Sequence, residues 1–215
     1  MASRVILPFW PTAINNISWS ADSLIAVGGG EFLAILMPRL RSRGPDESPW
    51  EQIVLQINAF TASEVPPADV LSWANFSLGE ELSLRNIVGL SWSSPGLARF
   101  GACALAVLHS HHVLTIWTCE GRPEVKDKWQ RSLIVNHAVQ ELYDQTDPIG
   151  DDADVERLEE RQVRQRIRAF AWSQPVRNRH GFSDDLKGFL DRGQQILAVA
   201  TEAQDILLLL SLIHI

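Results

Sequence analysis

The sequence predicts an all-β fold, an incomplete β-propeller of about three decorated blades with one inserted helix. Three observations predict it: a motif repeated three times in one order, the strand–hairpin–strand grammar within each copy, and intervals longer than one plain blade needs. The first copy is Ile17-Ser18-Trp19-Ser20, then Ile25-Ala26-Val27, the turn Gly28-Gly29-Gly30-Glu31, and a second apolar run from Phe32 to Leu36. The second is Leu90-Ser91-Trp92-Ser93, Leu105-Ala106-Val107, His109 to His112, and Val113 to Trp117. The third is Phe170-Ala171-Trp172-Ser173, Leu197-Ala198-Val199, Glu202 to Asp205, and Ile206 to Leu210. Strand, hairpin and strand recurring in fixed order is the signature of propeller blades.

The spacing sets the blade count. WD40 blades repeat at ~40–45 residues, whereas Trp19, Trp92 and Trp172 are separated by nearly twice that. A second blade in each gap would need its own Trp-Ser unit. Only Ser72-Trp73 offers one, and no matching hairpin follows it. The fold is therefore WD40-like, with one decorated blade per interval: a partial propeller domain over 1–209, blades at about 8–60, 87–135 and 167–209, and insertions at 61–86 and 136–166.

The elements follow in order. Ser23 to Val27 and Phe32 to Leu36 are β-type runs joined by glycines that permit a tight turn. Pro38 to Pro49 is a solvated loop, rich in Arg, Ser, Gly and Pro. Trp50 to Ile57 alternates apolar and polar residues and supplies the outer strand of blade one. Thr61 to Asn86 is an insertion, with a short helix or strand expected around Val70 to Phe76. Trp129 to Val135 closes blade two. Asp144 to Asp154 is an acidic loop, and Asp154 to Arg168 is a helix whose acids lead and bases follow, complementing the macrodipole. Gln174 to Gly193 is polar and exposed.

Composition excludes several function classes. A hydrophobic content of 46% is enough for a core, while a net charge of -7 and a pI near 5.3 do not suit a surface that coats nucleic acid. Val5-Ile6-Leu7 before Pro8 is too short for a secretory core. No stretch approaches the ~18 apolar residues of a membrane span. Cys103 and Cys119 read as free thiols of an intracellular protein.

No catalytic, cofactor or metal site is expected. Glu31 follows the three glycines where a P-loop needs Lys and Ser or Thr. His109, His111 and His112 are the strongest metal candidates, yet neighbours on alternating strand faces do not converge on one ion, and the cysteines form no Cys-x-x-Cys. No nucleophile elbow or Ser/His/Asp set is visible, and nothing around Asp151 to Glu160 raises a carboxyl pKa. The structural repeat positions are Trp19, Trp92, Trp172 and Trp117. Trp10, Trp50, Trp73 and Trp129 lie outside that register and include the candidate anchors for a partner.

These residues carry a resemblance. Asn16-Ile17-Ser18-Trp19-Ser20 with Ile25-Ala26-Val27, Gly79-Glu80-Glu81-Leu82-Ser83, and Gly89-Leu90-Ser91-Trp92-Ser93-Ser94-Pro95-Gly96-Leu97-Ala98 with Leu105-Ala106-Val107-Leu108 resemble the N-terminal WD40-like domain of the delta-type subunit of transcription factor IIIC. So does Arg168-Ala169-Phe170-Ala171-Trp172-Ser173; the similarity runs from about residue 8 to 209. Trp117-Thr118 stands where a regular WD40 unit ends in Trp-Asp, so the repeats are degenerate.

The resemblance implies a nuclear, non-enzymatic scaffold in the factor that recognises internal promoters of RNA polymerase III genes. Its partners would be the other subunits of that factor and polymerase III initiation proteins, with DNA met only indirectly and no membrane. A histone acetyltransferase activity attributed to some members is the alternative of a different class, and no acetyl-CoA-type pyrophosphate loop supports it here. A WD40 peptide-binding module of another complex is the third reading.

Two expectations concern the end of the chain. Leu210-Ser211-Leu212-Ile213-His214-Ile215 matches translation of a sequencing-library adapter, so the chain is expected to be a truncated fragment with 210–215 as a non-native read-through tail, which accounts for a repeat that stops inside its third unit. Three blades cannot close a ring, and blade three should leave the outer edge of Ile206 to Leu210 unpaired.

Overall fold

Three antiparallel sheets succeed one another along the chain. The computed structural model describes residues 4–39, 48–61, 64, 85–147, 155–174 and 195–210. Blade one is β1 (Ile17–Trp19), β2 (Ile25–Gly29), β3 (Phe32–Pro38) and β4 (Trp50–Gln56), hydrogen-bonded in that order. Blade two repeats it with β5 (Ile87–Trp92), β6 (Leu105–His109), β7 (Leu114–Cys119) and β8 (Trp129–Ile134). Blade three has β9 (Ile167–Trp172), β10 (Ile196–Thr201) and β11 (Ile206–Leu210), and among the described residues no strand pairs the far edge of β11.

The period-2 alternation of each strand gives its sheet two apolar faces, and the cores form where faces of successive blades meet. Leu33, Ile35 and Leu55 of blade one pack with Leu90, Trp92, Leu105 and Val107 of blade two. The opposite face of blade two, with Ala106, Leu108, Leu114 and Ile116, packs with Leu197, Val199 and Leu209 of blade three. A Cβ on Gly28 would stand 2.8 Å from the Ile87 side chain, so a glycine there lets blades one and two approach closely.

Several sequence expectations are corrected in detail. Gly28 and Gly29 belong to strand β2, and only Gly30, at φ +56, enters the turn with Glu31. On Gly29 a Cβ would strike the Trp10 carbonyl at 2.2 Å, so the N-terminal segment explains that glycine. Ser23, at φ 64, is a turn residue before β2.

Among the described residues the second insertion holds two helices where the residue pattern announces one. Val135, expected in a strand, starts α1 (Val135–Thr146), which runs through residues expected to be irregular. Its buried Val135, Val139 and Tyr143 recur every fourth position, one stripe that fills the seam between blades two and three. The expected helix is α2 (Val155–Gln165); it ends before Arg168, which lies in β9. Its bases complete ion pairs more than a dipole: Arg157 and Arg164 meet Asp147 at 3.3 and 3.1 Å, and Arg161 meets Asp144.

The expectations for residues 40–47, Val70 to Phe76, Ser72-Trp73, Gly79 to Ser83, Asp151 to Asp154, residues 175–193 and Ser211 to Ile215 lie outside the described residues. Leu210 itself pairs with Ile196 as part of β11. No helix of the described residues is long and apolar enough to cross a membrane.

Candidate functional site

The three Trp-Ser units are hydrogen-bonding devices. The indole Nε1–H of Trp92 donates to the carbonyl of Ser18 at 3.1 Å, and that of Trp172 donates to the carbonyl of Ser91 at 3.3 Å. Ser18 and Ser91 each precede the tryptophan of the blade before. One residue type at one position therefore ties each blade to its predecessor, and buries a large apolar ring in the seam as it does so.

The serine after each tryptophan closes the first hairpin. Ser20, Ser93 and Ser173 each donate a backbone N–H, at 2.8 Å, to the carbonyls of Leu24, Ala104 and Ile196. Their hydroxyl oxygens accept the N–H of the same three residues at 3.0, 2.8 and 2.8 Å. Each acceptor residue immediately precedes the repeated apolar-Ala-Val triplet. The hairpin is thus locked at its base, which lets the loop between vary in length. Sequence reasoning saw the serines without assigning them this role; their fixed offset from the triplet was the available signal.

Trp117 serves inside its own blade. Its Nε1–H donates to Thr115 Oγ1 at 3.0 Å, and the same hydroxyl lies 3.2 Å from His109 Nε2 and donates to the Val107 carbonyl. His109 and His111 do come together, but onto Phe60, with ring centroids 5.0 and 4.9 Å from it. Phe60 follows β4, so this plug joins blade one to the β6–β7 turn. The guanidinium groups of Arg131 and Arg85 cover the same ring at 4.8 and 5.8 Å.

The plug is neutral by construction. Burial, then the neighbouring His111, lowers the His109 pKa to about 3; burial, then Arg85, lowers that of His111 to about 4. Two cations beside neutral imidazoles do not make a cation site, and no group of three or more His, Cys, Asp or Glu converges among the described residues. His112 sits in the turn, where its carbonyl accepts from Asn136 and Ile167. Cys103 and Cys119 are free thiols, and burial with the adjacent Asp22 pushes Cys103 up to about 11, away from nucleophilic use.

What remains is surface. Trp19 is 66% exposed although its counterpart Trp92 is 7% exposed, and its indole N–H finds no acceptor among the described residues. Trp10 is 87% exposed, and Ile14, four residues further on, is also open to solvent. Trp50 meets Trp19 edge to face at 6.3 Å, and Trp129 is buried against Trp92. Of the four tryptophans outside the register, Trp10 is the exposed one among those described. A groove of about 700 Å³ runs along the inner strands, lined by Ile14, Ile17, Val88, Leu108, Arg168 and Phe170.

The family model for the transcription factor IIIC subunit delta β-propeller domain matches residues 19–211. The chain belongs to that family. The match takes in all three Trp-Ser units and identifies the sheets as propeller blades of a transcription factor subunit. No curated protein matches the chain.

Proposed function

We propose that this chain is a non-enzymatic scaffold of transcription factor IIIC that supports assembly of the RNA polymerase III initiation machinery in the nucleus. The carrying observation is the delta-type propeller match over residues 19–211. The geometry supports it through what the surface offers: exposed Trp10, Trp19 and Ile14, a surface chemistry suited to protein partners. DNA is met through those partners, since a charge of -7 repels the duplex at long range.

The test is affinity purification of the tagged chain from nuclear extract. Recovery of other subunits of the factor or of polymerase III components supports the reading; an unrelated cytoplasmic complex overturns it. Heat on titration with acetyl-CoA would move the chain to the acetyltransferase class. Tight, sequence-specific retardation of a polymerase III promoter fragment by the chain alone would refute indirect DNA contact.

A further inference from the structure

Among the described residues, Ser23, Phe100, His112 and Gln204 hold a positive φ without being glycine. Ser23, His112 and Gln204 are polar and sit in the short turns that join β1 to β2, β6 to β7 and β10 to β11. Phe100, at φ 59 and ψ 22, is the apolar one, and it is 90% exposed. A bulky side chain in the left-handed region strains the backbone, and a ring left in water gains no burial to offset that strain. Glycine or asparagine would hold the same turn more easily. Within the chain, Phe100 is a loss.

The turn that carries it is built to hold it still. Blade one closes the equivalent hairpin with residues 21–23 alone, whereas blade two uses residues 94–103. The longer turn is braced at both ends: the Ser94 N–H donates to Gln195 Oε1 at 2.8 Å, and the Cys103 N–H donates to Asp22 Oδ2 at 2.7 Å. Across its middle, Gly96 N–H donates to the Gly101 carbonyl at 2.9 Å and Ala98 N–H to the Ala102 carbonyl at 3.0 Å. Arg99 is tied to Glu120, on the β7–β8 connection, at 2.9 Å. A Cβ on Gly96 or Gly101 would meet nothing within 4 Å, so bare backbone flanks the ring and leaves it open to approach.

We propose that Phe100 is the anchor by which this end of blade two docks another subunit of transcription factor IIIC, its ring entering an apolar pocket of that subunit. The inference rests on the scaffold reading and adds to it the surface of contact. A ring fixed before binding gives up little freedom on docking. Aromatic anchors inside a polar rim carry much of the affinity of protein interfaces. The rim is present: Glu120, Arg122, Glu124, Lys126, Asp127 and Lys128 alternate in sign along the β7–β8 connection. That balance suits a protein partner, since anionic lipid and nucleic acid both select an excess of bases.

Binding of the whole 215-residue chain to the other subunits of the factor, purified together without it, tests the proposal. Phe100→Asn removes the ring and installs a residue that tolerates positive φ. It should raise the thermal midpoint by ~1–4 °C and weaken binding by ~30-fold or more. Phe100→Gly takes its place should the asparagine variant misfold, with the same loss of binding. A native chain that binds no better than the asparagine variant overturns this inference and leaves the scaffold reading standing. A native chain that binds none of the subunits overturns both. A lowered midpoint would show that the ring supports the fold, which also refutes the anchor. So would a ring needed instead for binding phosphatidylserine vesicles, or for pairing of the chain with itself in light scattering.

Discussion

The same tryptophan sits in two settings in this molecule. At the seam between blades one and two, Trp92 is buried, donates its indole proton to Ser18 and stacks edge to face on Trp129. At the start of the arc, Trp19 has the same neighbours in sequence and stands in solvent beside Trp50. The motif alone therefore does not decide burial; the presence of a preceding blade does. Seams are where stability is concentrated.

Substitution should separate the two settings most widely. Trp92→Ala empties a seam and is expected to cost ~3–5 kcal/mol in denaturant unfolding. Trp19→Ala should cost under about 1 kcal/mol. Equal costs would mean that the exposed and buried copies do the same structural work.

Acid should attack the seam and spare the ends. His109 and His111 have folded pKa values of about 3 and about 4, below the unfolded value near 6.5. The unfolded chain then binds more protons, so stability falls as pH drops from 6.5 to about 4, by at most about 1.4 kcal/mol per pH unit for each histidine. The loss levels off below about 3, where both states are protonated. His111→Phe should flatten the slope over that window, and an unchanged slope would assign the acid sensitivity elsewhere.

Smaller effects sharpen the contrast. Gly28→Ala pushes a methyl into Ile87 across the seam and should cost ~1–3 kcal/mol. Ser93→Ala strands the buried Ala104 N–H and should cost ~1–2 kcal/mol, more than Ser173→Ala at the more open third hairpin. Arg164→Ala removes exposed pairs to Glu160 and Asp147, and its change in midpoint should correspond to less than about 1 kcal/mol.

The sequence made the blades legible because Trp-Ser and the apolar-Ala-Val triplet are local patterns held by short-range pairing. It announced α2 through composition but not α1, whose helical stripe is three buried side chains among polar ones and takes its support from the seam between blades. The glycines of β2 read as a turn because nothing local shows that Ile87 and Trp10 press against them from other elements. The His109–Phe60 contact was hidden for the same reason: its partners stand on two blades and meet only once those blades pack. The clasps themselves were half visible, since the tryptophans repeat but their acceptors lie one blade back.

Hydrogen exchange of the indole N–H protons tests the blade-to-blade clasps most directly. The account predicts that Trp92 and Trp172 are protected together and released in one cooperative unfolding step. Trp19, which is 66% exposed, should exchange rapidly. Rapid exchange of Trp92 or Trp172 in the folded chain would contradict the clasps on which the account rests.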